Sequence, residues 1–168
     1  MNSTGRFGLY LRSIVFGVVD SLVSTVGLLA GLDVAGASHA VLAFTGGIYA
    51  VVEAFSMAVG NFLSEESVEE YAKRGDVSER APILAGIVMF AAFMVAALIP
   101  LAPYLLLGDP AALATSVILS VIALFVVGAL SARIAKVPAL SRGLRMAVLG
   151  GSAILIGVIV GYFFPTAG

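Results

Sequence analysis

Asp20 and Glu53 are carboxylates placed in apolar surroundings. Asp20 lies within IVFGVVDSLVSTVGLLAGL, residues 14–32, and Glu53 sits in a second apolar stretch, residues 40–63. An ionised carboxylate near the centre of a bilayer costs about 2.5–3.5 kcal/mol on insertion scales. It must therefore face other helices, water or an ion, or else take up a proton. Helical spacing puts Met57 on the face of Glu53, together with Gly46, Gly60 and Ser64. A carboxylate oxygen beside a thioether is a mixed hard and soft ligand pair. It is unsuited to calcium or magnesium and tolerable for a first-row transition ion. The plain alternative for Met57 is apolar filler. Counted from the expected ends of the two stretches, Asp20 and Met57 both lie roughly 10 Å into the hydrocarbon. Glu53 is expected one turn deeper.

Ser13, Gly17, Asp20, Ser24, Gly27 and Gly31 form a small and polar stripe along the first segment. Such stripes let helix backbones approach closely. One Asp and one Met are too few to hold a metal, and a two-fold pair of copies meeting along this stripe would supply two of each. A homodimer through the first-span helices is the expectation, with Asp20, Ser24, Glu53, Met57 and Asn61 along the path. The bland alternative is a packing seam with an incidental acid, although Ala would pack there without the cost of the charge.

Glu65, Glu66, Glu69 and Glu70 open a short acidic connector, residues 64–81. If the second helix continues through them, they make like-charged i,i+4 pairs that a cation could bridge. Such a cluster would gather metal weakly at the cytoplasmic mouth. Alternatively it is a solvated helix end balanced by Lys73 and Arg74, and Asp76 and Glu79 either join it or make loop contacts.

These residues need elements long enough to carry them. The 168-residue chain is 61% hydrophobic and 11% charged, with a mean hydropathy of +1.12. A water-soluble domain of this size cannot hide that much apolar surface. A hydrocarbon core about 30 Å thick takes roughly 20 apolar residues per helix. Five stretches qualify, near 13–32, 40–63, 82–107, 112–132 and 144–164. Backbone groups in lipid must be paired internally, which predicts helices, and the alternation of a membrane barrel is absent. The expected fold is an all-α integral membrane protein with five transmembrane helices in a single transmembrane domain. No cleavable signal peptide is expected.

The nine Lys and Arg residues all fall on one side of this arrangement. Arg6 and Arg12 precede the first span. Lys73, Arg74 and Arg80 lie between the second and third. Arg133, Lys136, Arg142 and Arg145 lie around the fourth connection. The positive-inside rule then predicts a cytoplasmic N-terminus and an outside C-terminus.

There is no cysteine and one histidine. Thiolate sites are excluded, and no nucleophile–base pair stands out, so an enzyme is not expected. His39 reads as loop surface, with proton release as the sharper alternative. Asp33 and Asp109 read as turn and cap residues. Gly157 and Gly161 read as a helix-packing pair, and Pro100 and Pro103 as a kink or end of the third helix. The few basic residues are already accounted for by topology, so nucleic acid is not an expected partner.

The segments FGVVDSLVSTVGLLAGL, EAFSMAVGNFLS, ALIPLAPYLLL, ALFVVGALSARI and GLRMAVLGGSAILIGVIVGYF resemble the vacuolar iron transporter family in order and spacing. The resemblance covers about residues 10–164. Members of that family are five-helix homodimers that move ferrous iron, and often manganese, out of the cytosol in exchange for protons. The resemblance implies that Asp20 and Met57 occupy the metal-conducting positions within the dimer interface. It also implies Fe2+ or Mn2+ as cargo and protons as the coupling ion, with no permanently bound cofactor. The chain departs from the pattern in three places. Val19-Asp20-Ser21 stands where the family has Asn-Asp-Gly. Gly60-Asn61 stands where Gly-Glu is usual, and Glu53 stands where small residues are usual. The short connector places the chain with members that lack the long cytoplasmic metal-binding insert. A multi-pass position in a prokaryotic cell membrane is the expectation. A passive divalent-cation channel and a non-transporting membrane scaffold are the alternatives.

Overall fold

The computed structural model of the chain describes residues 3–73, 79–107 and 111–164, apart from the side chains of 3–5 and 73. Asp76, Arg74 and Asp109 lie outside the described residues, as does the charge of Lys73. Among the described residues there are five helices: α1 (Ser3–Val34), α2 (His39–Lys73), α3 (Arg80–Leu106), α4 (Ala111–Ile134) and α5 (Ala139–Phe163). Each is long and apolar enough to cross a membrane. The fold is all-helical.

The 35 residues of α2 make it about 52 Å long at 1.5 Å per residue. That exceeds a hydrocarbon core of about 30 Å. Its last turns, with the glutamates, therefore stand beyond the apolar layer as one continuous helix.

The bundle is built around α1, which touches all four other helices. On one side α3 packs against α1 and α2, and on the other α5 packs against α1 and α4. Helix α2 rests mainly on α3 and only lightly on α1, so much of its surface is unpaired within the chain. Large apolar side chains point outward: Phe44 is 71% exposed and Phe55 65%. Small and hydroxyl side chains point inward, with Ser13, Ser21, Thr25, Ser116 and Ser120 fully buried. Buried apolar side chains such as Phe93 and Leu22 complete the interior, and lipid is the solvent that permits so apolar an exterior. In lipid the packing energy comes from close contact and interhelical hydrogen bonds rather than from expelling water. Ser21 Oγ donates to the Phe93 carbonyl at 2.8 Å, joining α1 to α3. Ser116 Oγ donates to the Pro100 carbonyl at 2.7 Å, joining α4 to α3.

Pro100 and Pro103 lie inside α3 and do not end it before Leu106. The last turn closes when Leu107 N–H donates to the Pro103 carbonyl at 2.9 Å. His39 is the first residue of α2 rather than loop surface. Its ring lies 5.8 Å from that of Tyr104 of α3, tilted by 48°, near the buried cluster of Leu29, Leu42, Leu101 and Ala112.

Gly157 and Gly161 pack as expected, and their partners are now visible. A side chain at Gly157 would strike the backbone of Gly27, and one at Gly161 the backbone of Gly31. Helices α1 and α5 meet there with no side chain between them.

Candidate transport site between α1 and α2

Hydrogen bonds set the register of α1 against α2. Asn61 Nδ2 donates to Ser13 Oγ at 3.0 Å, and Ser13 Oγ donates in turn to the Leu9 carbonyl at 3.1 Å. About three turns away, the Tyr49 hydroxyl lies within hydrogen-bonding reach of Ser24. Ser24 Oγ also donates to the Asp20 carbonyl at 2.7 Å. Between these two pairs, Asp20 comes level with Glu53. The two carboxylates are near enough to act on each other electrostatically, and both act on Tyr49. All of Asp20, Ser24, Tyr49 and Glu53 are half-buried.

The expected depths of Met57 and Glu53 are corrected by this register. Glu53, not Met57, faces the level of Asp20. Met57 lies one helical turn, about 5 Å, closer to the end where α1 begins. Counting inward from the apolar ends assumed that both helices leave the membrane at those ends. Helix α2 instead stays helical well beyond residue 63, and its polar groups at Asn61 and Glu65 are drawn to partners on α1.

Met57 lines a cavity of about 630 Å³ with Arg12, Phe16, Asn61, Ser64 and Met89. The cavity opens between α1, α2 and α3, on the approach to the Asp20–Glu53 level. Met57 also packs against the Ala50, Ala54, Phe93 and Ala97 cluster, so it is partly filler and partly lining. Met89 is a second thioether at the cavity, although its side chain is only 1% exposed.

The glycine stripe of α1 does not serve one neighbour. Gly17 faces α3, where an added Cβ would lie 3.0 Å from the Met89 carbonyl. Ser13, Asp20 and Ser24 face α2. Gly31 faces α5, where an added Cβ would lie 2.8 Å from the Gly157 carbonyl. The expectation of a single seam is corrected accordingly. The six positions average 3.6 residues apart and so share one face of α1, and along its length that face is met by different neighbours. Ser13 and Gly17 are buried within the chain, while Asp20, Ser24, Gly27 and Gly31 remain half open.

The glutamates of the connector separate into different roles. Glu65 is 8% exposed and ion-paired with Arg12. Its expected part as a free funnel carboxylate is corrected: a cation of α1 already neutralises it. Glu66 and Glu69 are half-buried, and Glu70 is exposed. Removing one partner of a largely buried pair strands the other charge, but the guanidinium side is 61% exposed and water screens it. A double-mutant cycle of Arg12→Gln and Glu65→Gln, read by unfolding in detergent micelles, is expected to give a coupling of about 1 kcal/mol. A coupling near zero would show that the pair contributes nothing to holding α1 against α2.

Among the described residues, no three His, Asp or Glu side chains converge on one point. One copy presents a pair of carboxylates, with a thioether one turn away. Tyr49 is the site residue that spacing could have found and did not. It precedes Glu53 by four residues, so its polar tip falls on the same helical face.

The VIT family model matches this chain over residues 11–83 and 70–162. The chain is also 31% identical over 156 residues to vacuolar iron transporter homolog 5 of Oryza sativa subsp. japonica, covering 86% of this chain and 74% of that protein.

Proposed function

Because the chain belongs to the VIT family, we propose that it exports divalent transition metal, ferrous iron first and manganese second, in exchange for protons. The observation that carries this reading is the juxtaposition of Asp20 and Glu53 inside the spans. Two like charges held together in a medium of low dielectric need a neutralising partner. A divalent cation supplies it in one state and protons supply it in another. That alternation is what exchange of metal for protons requires.

In this reading two copies meet about the half-open face of α1 and α2, where Asp20 and Ser24 are not covered within the chain. The partner copy doubles the ligand set to two Asp, two Glu and two Met. Tyr49 and Ser24 add neutral oxygens. The basic end of the bundle faces the cytoplasm, so metal passes the Met57 cavity first and the carboxylates next. Asn61, tied to Ser13, positions α2 and takes no direct part in holding the ion. Glu66 and Glu70 raise the local concentration of cations at the mouth. Soft and borderline ions are favoured over calcium by the thioether.

The test is uptake of ferrous and manganous ions by proteoliposomes that carry an internal pH dye. Metal movement with opposite proton movement is the expected result. Metal movement without a pH change would replace exchange by a passive channel. No movement of either ion would leave a membrane scaffold whose polar face only joins helices.

A further inference from the structure

The base of α5 carries a second kind of site. Residues 111–168 contain Arg133, Lys136, Arg142 and Arg145 and no Asp or Glu. These cations therefore have no acidic side chain in their own segment of the chain. Arg142 and Arg145 lie one turn apart on one helical face, and both are exposed. Neither meets a carboxylate among the described residues, where the ion pair formed is that of Arg12 with Glu65. Together with Met146 and Leu149 they line a cavity of about 410 Å³.

The walls of this cavity are held in place. An added Cβ at Gly143 would lie 2.8 Å from the ring of Phe125. One at Gly128 would lie 2.9 Å from the Gly143 Cα. Backbone contact thus pins the first turns of α5 to α4 and leaves the arginine face outward.

The chemistry changes along the helix. Two guanidiniums stand at the end of the bundle that collects the basic residues. Met146 and Leu149 follow toward the membrane, and the exposed apolar surface continues with Ile156, which is 62% exposed. A guanidinium grips phosphate oxygens through paired N–H donors. Basic pockets at this depth suit anionic headgroups. A free phosphate would use the arginines alone. A glycerophospholipid would use the arginines for its phosphate and the apolar run for its acyl chains.

We propose that the cavity between Arg142, Arg145, Met146 and Leu149 binds the phosphate headgroup of an anionic glycerophospholipid. The site is independent of the transport reading and does not stand or fall with it.

The test is native mass spectrometry of the purified full-length protein in micelles supplemented with phosphatidylglycerol or phosphatidylcholine. The parent is expected to retain phosphatidylglycerol in preference. The Arg142→Gln/Arg145→Gln variant is expected to bind it about tenfold more weakly or worse. Arg6→Gln/Arg80→Gln removes the same charge from the same end of the bundle and is expected to keep the preference. Equal losses in both variants would overturn the site in favour of diffuse positive charge. No preference in the parent would overturn it outright. Displacement of the lipid by an equal concentration of inorganic phosphate would reassign the cavity to free phosphate. Should the Gln pair fail to fold, Arg142→Lys/Arg145→Lys takes its place. That pair keeps the charge and loses the planar fork, so an unchanged preference would overturn the phosphate contact.

Discussion

Asp20→Asn is expected to reduce metal uptake into proteoliposomes by about 100-fold while leaving the protein folded and inserted. The substitution keeps the shape of the side chain and removes its charge. A carboxylate and a cation about 4 Å apart attract by about 4 kcal/mol per unit of cation charge at an effective dielectric near 20. A hundredfold change in rate or affinity requires only about 2.7 kcal/mol. Loss of one carboxylate's attraction for the ion is therefore ample. Folding should not suffer, because the variant also removes the repulsion between two neighbouring carboxylates. Unfolding in detergent is expected to be unchanged or slightly raised. Full uptake by a folded Asp20→Asn protein would place the path elsewhere, and the half-open face of α1 would then be a packing surface.

Gly161→Ala is expected to destabilise the bundle by about 3 kcal/mol or more, with no charge altered and no ligand removed. The methyl group would strike the backbone of Gly31. Backbone cannot rotate aside as a side chain can, so α5 must shift away from α1. Gly157→Ala meets the Gly27 backbone and is expected to behave alike. The seam is asymmetric in a way that supplies its own control. At Gly27 an added Cβ would find its nearest neighbour, the Ala153 carbonyl, at 3.7 Å, an ordinary contact. Gly60, on the exposed face of α2, has nothing within 4 Å of an added Cβ. Gly27→Ala and Gly60→Ala are expected to unfold at or near the parent midpoint. If all four variants unfold together, the α1–α5 seam is looser than the structure has it.

The two experiments separate the roles that the stripe of α1 combines. Its polar members are expected to alter transport without altering stability. Its glycines, where α5 closes on them, are expected to alter stability first. A surface that only joined helices would show the second effect and not the first.

Much of this protein follows from the sequence alone. Five apolar stretches of spanning length are set by the thickness of a bilayer and the rise of a helix. That property belongs to each segment by itself, and the five helices match it. The presence of Asp20 and Glu53 inside spans is likewise plain from their neighbours in the chain. Other features depend on how two helices slide and turn against each other, which no single segment determines. The bonds Asn61–Ser13 and Arg12–Glu65 join residues far apart in the chain. They draw α2 along α1 until Glu53, not Met57, stands beside Asp20. The same tertiary contacts divide the small and polar stripe of α1 among α2, α3 and α5. They also remove Glu65 from the free acids and bring Tyr49 to the site. Local hydrophobicity reports which residues enter the membrane. Only packing between helices decides which of them meet, because that choice is made by pairs of distant groups satisfying each other where water cannot.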